Sequence, residues 1–314
     1  MAWTPDDIPD QRGRVAVVTG ANGGLGLETS RELARKGAHV IMAARNPDKA
    51  SDARRSIEAD VPDAGLEVRH LDLASLDSVR ACADGIAADH VRIDLLVNNA
   101  GVMGIPEQAT AEGFEMQLGV NHLGHFVLTR HLLSVLLKVP AARVVSVTSF
   151  GRLTGRRVDP NNPHLHGEYA PWRAYNRSKL ANLHFAVELQ RRLEAAGATV
   201  RSLVVHPGLS HTDLQARSVR ETGGGLTQRF WDLLSRYTGT PADRGAHPQL
   251  RAATDPHANG GELYAPRWGM FGAPVRRPLF GRSLNRDAGR TLWAVSERET
   301  GERFVVSEIV SGAA

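Results

Sequence analysis

The feature that most constrains how this chain folds is a rhythm. Short runs rich in β-branched residues alternate with longer amphipathic stretches through the first two-thirds of the sequence, the pattern of parallel strands joined by crossover helices. Strands are predicted at 14–19, 39–43, 66–71, 93–97, 143–148 and 199–205, with a short last one near 262–264. Helices are predicted at 25–36, 47–59, 75–89, 112–137 and 174–196. Runs such as VVSVT and LLVNN are apolar almost throughout, as expected of strands covered by helices on both faces. The fold expected is therefore α/β: a single-domain Rossmann fold with a doubly wound, mostly parallel seven-stranded sheet and helices on both faces. The domain should span 1–314, with about 209–280 a segment outside the strand–helix rhythm and 281–314 forming a C-terminal helix and tail.

Bulk properties narrow the setting. The chain has 314 residues, 42% hydrophobic and 23% charged, enough for one large core. Its one cysteine, Cys82, cannot form an intrachain disulfide, so a cytoplasmic protein is expected. No export signal is visible in residues 1–14, no apolar run is long enough to span a membrane, and GGG at 223–225 is the one glycine run. The formal charge of +4 is spread along the chain, its densest arginine pairs sharing no nucleic-acid-binding motif. Nucleic acid is not an expected partner, whereas an anionic small molecule suits the charge.

The first chemical motif lies where strand one gives way to helix one: Thr19-Gly20-Ala21-Asn22-Gly23-Gly24-Leu25-Gly26. Glycines there let the backbone turn tightly and approach a diphosphate, while the helix N-terminus offers free N–H groups. A tight strand-to-helix turn alone would ask for similar residues. At the end of strand two, an NAD-preferring site usually carries an acidic residue for the ribose 2′-hydroxyl. Here Ala44 is followed by Arg45, whose guanidinium suits a 2′-phosphate, although it would equally solvate a strand end.

The second constellation is Tyr175-Asn176-Arg177-Ser178-Lys179. On a helix, Tyr175 and Lys179 fall on one side, at i and i+4. An adjacent ammonium, aided by an oxidised nicotinamide, lowers a phenol's pKa and makes it a usable acid/base. His164 and His166 lie in a loop without adjacent cysteines or acidic residues, so no metal site is expected.

TGANGGLG, NNAG at 98–101, Asn121, Ser149, YNRSK and HPG at 206–208 occur in the order found in short-chain dehydrogenases/reductases, and the chain resembles that family over about residues 13–212. VNHLGHF (120–126) and SKLANLHF (178–185) resemble its retinol dehydrogenase-like branch, which is also similar to protochlorophyllide reductases. The resemblance implies a nucleotide-binding oxidoreductase that interconverts an alcohol and a carbonyl by hydride transfer, with NADP(H) favoured over NAD(H) through Arg45. It implies a catalytic set of Asn121, Ser149, Tyr175 and Lys179. Ser149 would donate to the substrate oxygen, with Thr148 its nearest rival. Tyr175 would exchange the proton, Lys179 would bind the nicotinamide ribose, and Asn121 would hold a water leading to solvent.

Cofactor contacts are implied at Gly20, Asn22, Gly23, Gly24, Leu25, Gly26 and Arg45, at Asp72 and Leu73 for adenine, and at Asn99, Ala100 and Gly101 for the adenosine ribose. Tyr175 and Lys179 add to these, and the segment holding Pro207, Gly208 and Thr212 would meet the carboxamide. Phe230, Trp231, Leu234, Tyr237, Trp268, Met270 and Phe271 either line a cleft for a bulky hydrophobic substrate or pack the end of the domain. A homodimer or homotetramer through the long helices is compatible with the family. The alternative function is a non-catalytic, dinucleotide-binding sensor or scaffold, which would usually lack the tyrosine or the lysine.

Overall fold

A computed structural model describes residues 2–209 and 241–313. One eight-stranded sheet has the order β3-β2-β1-β4-β5-β6-β7-β8. The strands are β1 (Val15–Thr19), β2 (His39–Ala44), β3 (Leu66–His70), β4 (Leu95–Asn98), β5 (Arg143–Val147), β6 (Arg201–Val205), β7 (Leu263–Pro266) and β8 (Pro274–Arg277). All neighbours run parallel except β7 and β8, which pair antiparallel with Leu263 opposite Arg277. The chain order reverses between β1 and β4, which flank each other in parallel with Ala16 opposite Leu95. That switch point is where doubly wound sheets bind ligands.

The helices are α1 (Gly24–Arg35), α2 (Pro47–Asp60), α3 (Leu76–Asp89), α4 (Met116–Leu118), α5 (Gly124–Leu136), α6 (Pro171–Ala195), α7 (Ala242–Thr254), α8 (Arg286–Thr300) and α9 (Val306–Ala313). Side chains alternate across the sheet and divide the core into two layers. Val17, Ile41, Leu96 and Val144 pack with Val79, Phe126, Leu189 and Trp293, contributed by α3, α5, α6 and α8. Ala16, Val40, Leu95 and Val145 pack on the other face with Leu33, Ile57 and Leu250, from α1, α2 and α7. Among the described residues, no helix is long and apolar enough to cross a membrane. Cys82 lies buried in α3, where desolvation pushes its thiol up to about 11.

The sheet has one strand more than the sequence rhythm predicts. β8 reads Pro-Val-Arg-Arg, a short, charged edge strand with proline at its first residue, which carries no apolar alternation to announce it. The helix predicted over 112–137 also differs. Residues 112–115 are not helical, because Glu115 forms a bridge with Ala109 and caps α4 by accepting from the Gln117 and Leu118 amides. A π-turn, Gly119–Leu123, then separates α4 from α5. In place of one C-terminal helix and tail there are two helices, α8 and α9.

Candidate active site

The glycine turn closes β1 and opens α1. Gly20 has φ of 67°, in the left-handed region. A Cβ on Gly26 would collide with the Gly20 carbonyl and lie 2.7 Å from Asn99 Nδ2, so α1 approaches the turn after β4 as closely as backbone allows. The start of α1 differs from those of α2, α3 and α8. α2, α3 and α8 each have a side-chain cap, from Asn46, Ser75 and Asn285, and an acid in the first turn. At α1, Gly23 gives no side-chain cap, the first turn holds no acid, and a Cβ on Gly23 would meet open space. Uncapped N–H groups facing an open cradle fit a dinucleotide diphosphate.

The turn after β4 is held by Thr19. Its hydroxyl accepts from the amides of Asn99 and Ala100, each at 2.9 Å, and its carbonyl accepts from Asn99 Nδ2 at 2.8 Å. The Thr19 hydroxyl also lies 2.9 Å from His125 Nε2, while His125 Nδ1 lies 3.1 Å from the Asn121 carbonyl. A carbonyl only accepts, so Nδ1 carries the proton and Nε2 accepts from Thr19. Burial holds this imidazole neutral, its pKa down at about 4. His125 thereby joins the cofactor-side turn to the π-turn. Sequence reasoning missed both Thr19 and His125, and the polar residue inside the apolar face of α5 was the signal available.

Asn121 sits in that π-turn, fully buried. Its Oδ1 accepts from the Val102 amide at 2.7 Å, and its Nδ2 donates to the Val102 carbonyl at 2.9 Å and to Ser178 Oγ at 2.8 Å. Both Nδ2 hydrogens are thus committed to structure, while the main-chain carbonyl accepts from His125 Nδ1. Gly101 permits the approach, since a Cβ there would lie 2.8 Å from Asn121 Oδ1 and 3.4 Å from Lys179 Nζ.

α6 carries Tyr175 and Lys179 to the C-terminal end of β5. Lys179 is buried, and Nζ donates to the Val147 carbonyl at 3.3 Å. Among the described residues no carboxylate pairs with it, and desolvation lowers its pKa to about 8. Nζ lies 5.9 Å from the centroid of the Tyr175 ring. Ser149, just beyond β5, faces the Tyr175 phenol and acts to lower its pKa. Thr148, the rival serine position, is buried, and its hydroxyl donates to the Lys179 carbonyl at 2.5 Å. In the protein itself burial raises the pKa of the phenol, and Ser149 pulls it the other way.

Of the remaining expected contacts, Arg45 is exposed just beyond β2 and has no ion-pair partner among the described residues. The Asp72 carboxylate turns back to the Ala74 amide at 3.0 Å, and buried Leu73 packs under Gly124. Gly208 has φ of 84°, and a Cβ on it would lie 2.5 Å from the Met270 carbonyl. Leu209 donates to that same carbonyl at 3.0 Å. The segment with Pro207 and Gly208 is therefore pressed against the turn carrying Trp268 and Phe271, both largely exposed. Thr212, Phe230, Trp231, Leu234 and Tyr237, with the glycine run at 223–225, lie outside the described residues. His164 does find an acid through the fold: it reaches Glu299 at 2.9 Å and accepts from the Glu115 amide at 3.1 Å, a structural joint between α8 and α4.

A dinucleotide cradle at the switch point, beside a Ser–Tyr–Lys set on the turn after β5 and on α6, defines a nicotinamide-dependent oxidoreductase. The family model for short chain dehydrogenases matches residues 14–223, and the chain belongs to that family, in its retinol dehydrogenase-like branch. Human retinol dehydrogenase 13 is 43% identical over 299 residues, 92% of this chain and 85% of that protein. A putative uncharacterized protein from Mycobacterium paratuberculosis, of known crystal structure, is 41% identical with a TM-score of 0.80, covering 97% of this chain and 99% of that one. A putative NAD(P)-dependent gluconate 5-dehydrogenase from Beutenbergia cavernae, solved with bound NADP, is 27% identical with a TM-score of 0.63, covering 81% and 96%. The chain is thus an NAD(P)-dependent enzyme acting on CH–OH groups of a small-molecule substrate.

Proposed function

We propose that the chain is an NADP(H)-dependent oxidoreductase that interconverts a bulky hydrophobic alcohol and its carbonyl compound, with Tyr175 as the acid/base. The observation that carries this reading is the buried ammonium of Lys179, paired with no carboxylate among the described residues, beside Ser149 and Tyr175. When bound, the dinucleotide supplies or accepts the hydride, and no metal is needed. The protein's residues orient the substrate and manage its proton. In reduction, Ser149 donates a hydrogen bond to the carbonyl oxygen, and Tyr175 gives that oxygen its proton as the carbon becomes C–H. In oxidation the phenolate removes the hydroxyl proton.

Lys179 stabilises that phenolate by its charge and has donors to spare for the nicotinamide ribose. The Asn121 main-chain carbonyl, which also accepts from His125 Nδ1, is the acceptor for a water that returns protons from solvent. NADP(H) is favoured because β2 ends in Ala44 with Arg45 exposed beyond it, ready for a 2′-phosphate. The bulky apolar substrate rests on the relatives named as retinol dehydrogenases and on exposed Phe150, Leu153, Trp268 and Phe271 near the cleft's expected walls.

Fluorescence titration with NADPH and NADH, alongside turnover of bulky aldehydes and ketones, tests this reading. Expected are tighter binding of NADPH than NADH and turnover that Tyr175→Phe abolishes while NADPH binding persists. NADH preference would refute the role of Arg45. Tight binding without turnover of any compound would favour a sensor or scaffold, and turnover surviving in Tyr175→Phe would remove the tyrosine from the mechanism.

A further inference from the structure

At the β3 edge of the sheet, away from the catalytic residues that follow the central strands β4 and β5, three metal-ligating side chains converge from separate parts of the chain. His39 opens β2, Glu67 is the second residue of β3, and His90 is the C-cap of α3. His90 Nε2 lies 2.8 Å and His39 Nε2 3.4 Å from the same carboxylate oxygen, Glu67 Oε2. The two rings stand 5.4 Å apart, and all three ligand atoms lie within 4.8 Å of one another. Each side chain is partly open to solvent, at 38%, 23% and 16% for His39, Glu67 and His90.

We propose that His39, Glu67 and His90 bind one divalent transition-metal ion, zinc being the best match, which ties β2, β3 and the end of α3 together. Two neutral imidazoles and a carboxylate are a set that zinc accepts, with a fourth position left to water. Ligand bonds of about 2.0–2.2 Å require neighbouring ligand atoms roughly 3.3 Å apart in a tetrahedron, so small rotations of these partly open side chains bring the 2.8 and 3.4 Å separations to that value. Glu67 is arranged to serve. Arg69 hydrogen-bonds the other oxygen, Oε1, and so orients the carboxylate while leaving Oε2 to the two histidines. Arg69 also pairs with Asp89, so one guanidinium faces two carboxylates at this cluster. Gly65 makes room for His39: a Cβ there would lie 3.2 Å from Nδ1. Far from the glycine turn and Lys179, this ion would stabilise the fold and take no part in hydride transfer.

The test uses full-length, tag-free protein stripped with EDTA and titrated with zinc chloride by calorimetry in excess magnesium. Expected are one saturable equivalent of zinc and a rise in Tm on the order of 5 °C at a hundredfold excess over Kd. In His39→Asn and His90→Asn the zinc Kd should rise about tenfold or more, with NADPH binding unchanged. Cobalt(II) added to the wild-type protein should give the intense visible absorption of a tetrahedral site, a readout that stands even where a variant fails to fold. Zinc binding at full stoichiometry and affinity in the double variant would overturn the proposal, as would the absence of saturable uptake by the wild type. In that last case the cluster is a hydrogen-bonded staple.

Discussion

Lys179 shows how a single residue can be costly to the fold and necessary to the site. Its ordinary pKa of 10.5 falls to about 8 because burial penalises the ammonium and no counter-charge among the described residues repays it. Between about pH 8 and 10.5 the unfolded chain holds a proton that the folded chain does not. Stability should therefore climb with pH across that window, and the penalty is at full size below pH 8. Lys179→Met is expected to stabilise the cofactor-free protein at pH 7 by about 1–3 kcal/mol. The gain should shrink at pH 9.5, and turnover should fall at least about 100-fold. Urea unfolding at the two pH values, beside steady-state kinetics, checks both halves. A variant less stable than wild type at pH 7 would mean that the bond from Nζ to Val147 outweighs desolvation.

At the scale of elements, the site depends on how the turn after β5 is fastened to α6. Ser149 caps the short 3-10 turn Phe150–Leu153, its Oγ accepting from the Gly151 amide at 2.9 Å. Gly151 lies against Asn176 Oδ1 and Gly155 against the Asn176 carbonyl, both too close for a Cβ. Asn176 returns a hydrogen bond to Thr154 Oγ1 at 3.0 Å. Gly155→Ala must push this turn away from α6 and carry Ser149 off Tyr175. We expect kcat to fall roughly 10–100-fold with NADPH Kd held within about twofold, and stability to drop by about 1–3 kcal/mol. Unchanged kcat would show that the turn gives way without moving Ser149. The sequence announced the chemistry of this region but not its fastening. Gly20, Gly26, Tyr175 and Lys179 are legible because their spacing alone places them on a strand-to-helix turn or one side of a helix. Gly151 and Gly155 acquire their meaning from Asn176, which no local pattern joins to them. The π-turn at Asn121 escaped for a related reason, since its apolar neighbours fit an ordinary helix equally well and tertiary bonds to Val102 and Ser178 decide the matter.

Across the whole molecule, the catalytic turn is supported from a part of the chain that the family model does not reach. Asn121 faces the site, while the next residue, His122, faces α8, where its Nε2 meets Ser296 Oγ at 2.7 Å. Around them Phe126, Phe185, Trp293 and Phe304 pack ring against ring, with centroids 4.8–5.9 Å apart. Arg192 covers the Trp293 ring at 4.2 Å. A C-terminal helix was expected from the sequence, yet its role was not readable, because aromatic residues at 126, 185, 293 and 304 meet only once α5, α6 and α8 are assembled on one face. Removing the Trp293 side chain leaves a cavity at the centre of that assembly, which should cost about 3–5 kcal/mol and lower Tm on the order of 10 °C. Because the cavity lies behind the π-turn and not behind the glycine turn, kcat should fall several-fold below the melting transition while NADPH affinity stays near that of the wild type. Scanning calorimetry with kinetics at a temperature where Trp293→Ala is fully folded separates the two effects. A lower Tm with unaltered kcat would confine α8 to stabilising the fold, and a weakened NADPH affinity would mean that the strain travels on through His125 to Thr19 and the cofactor-side turn.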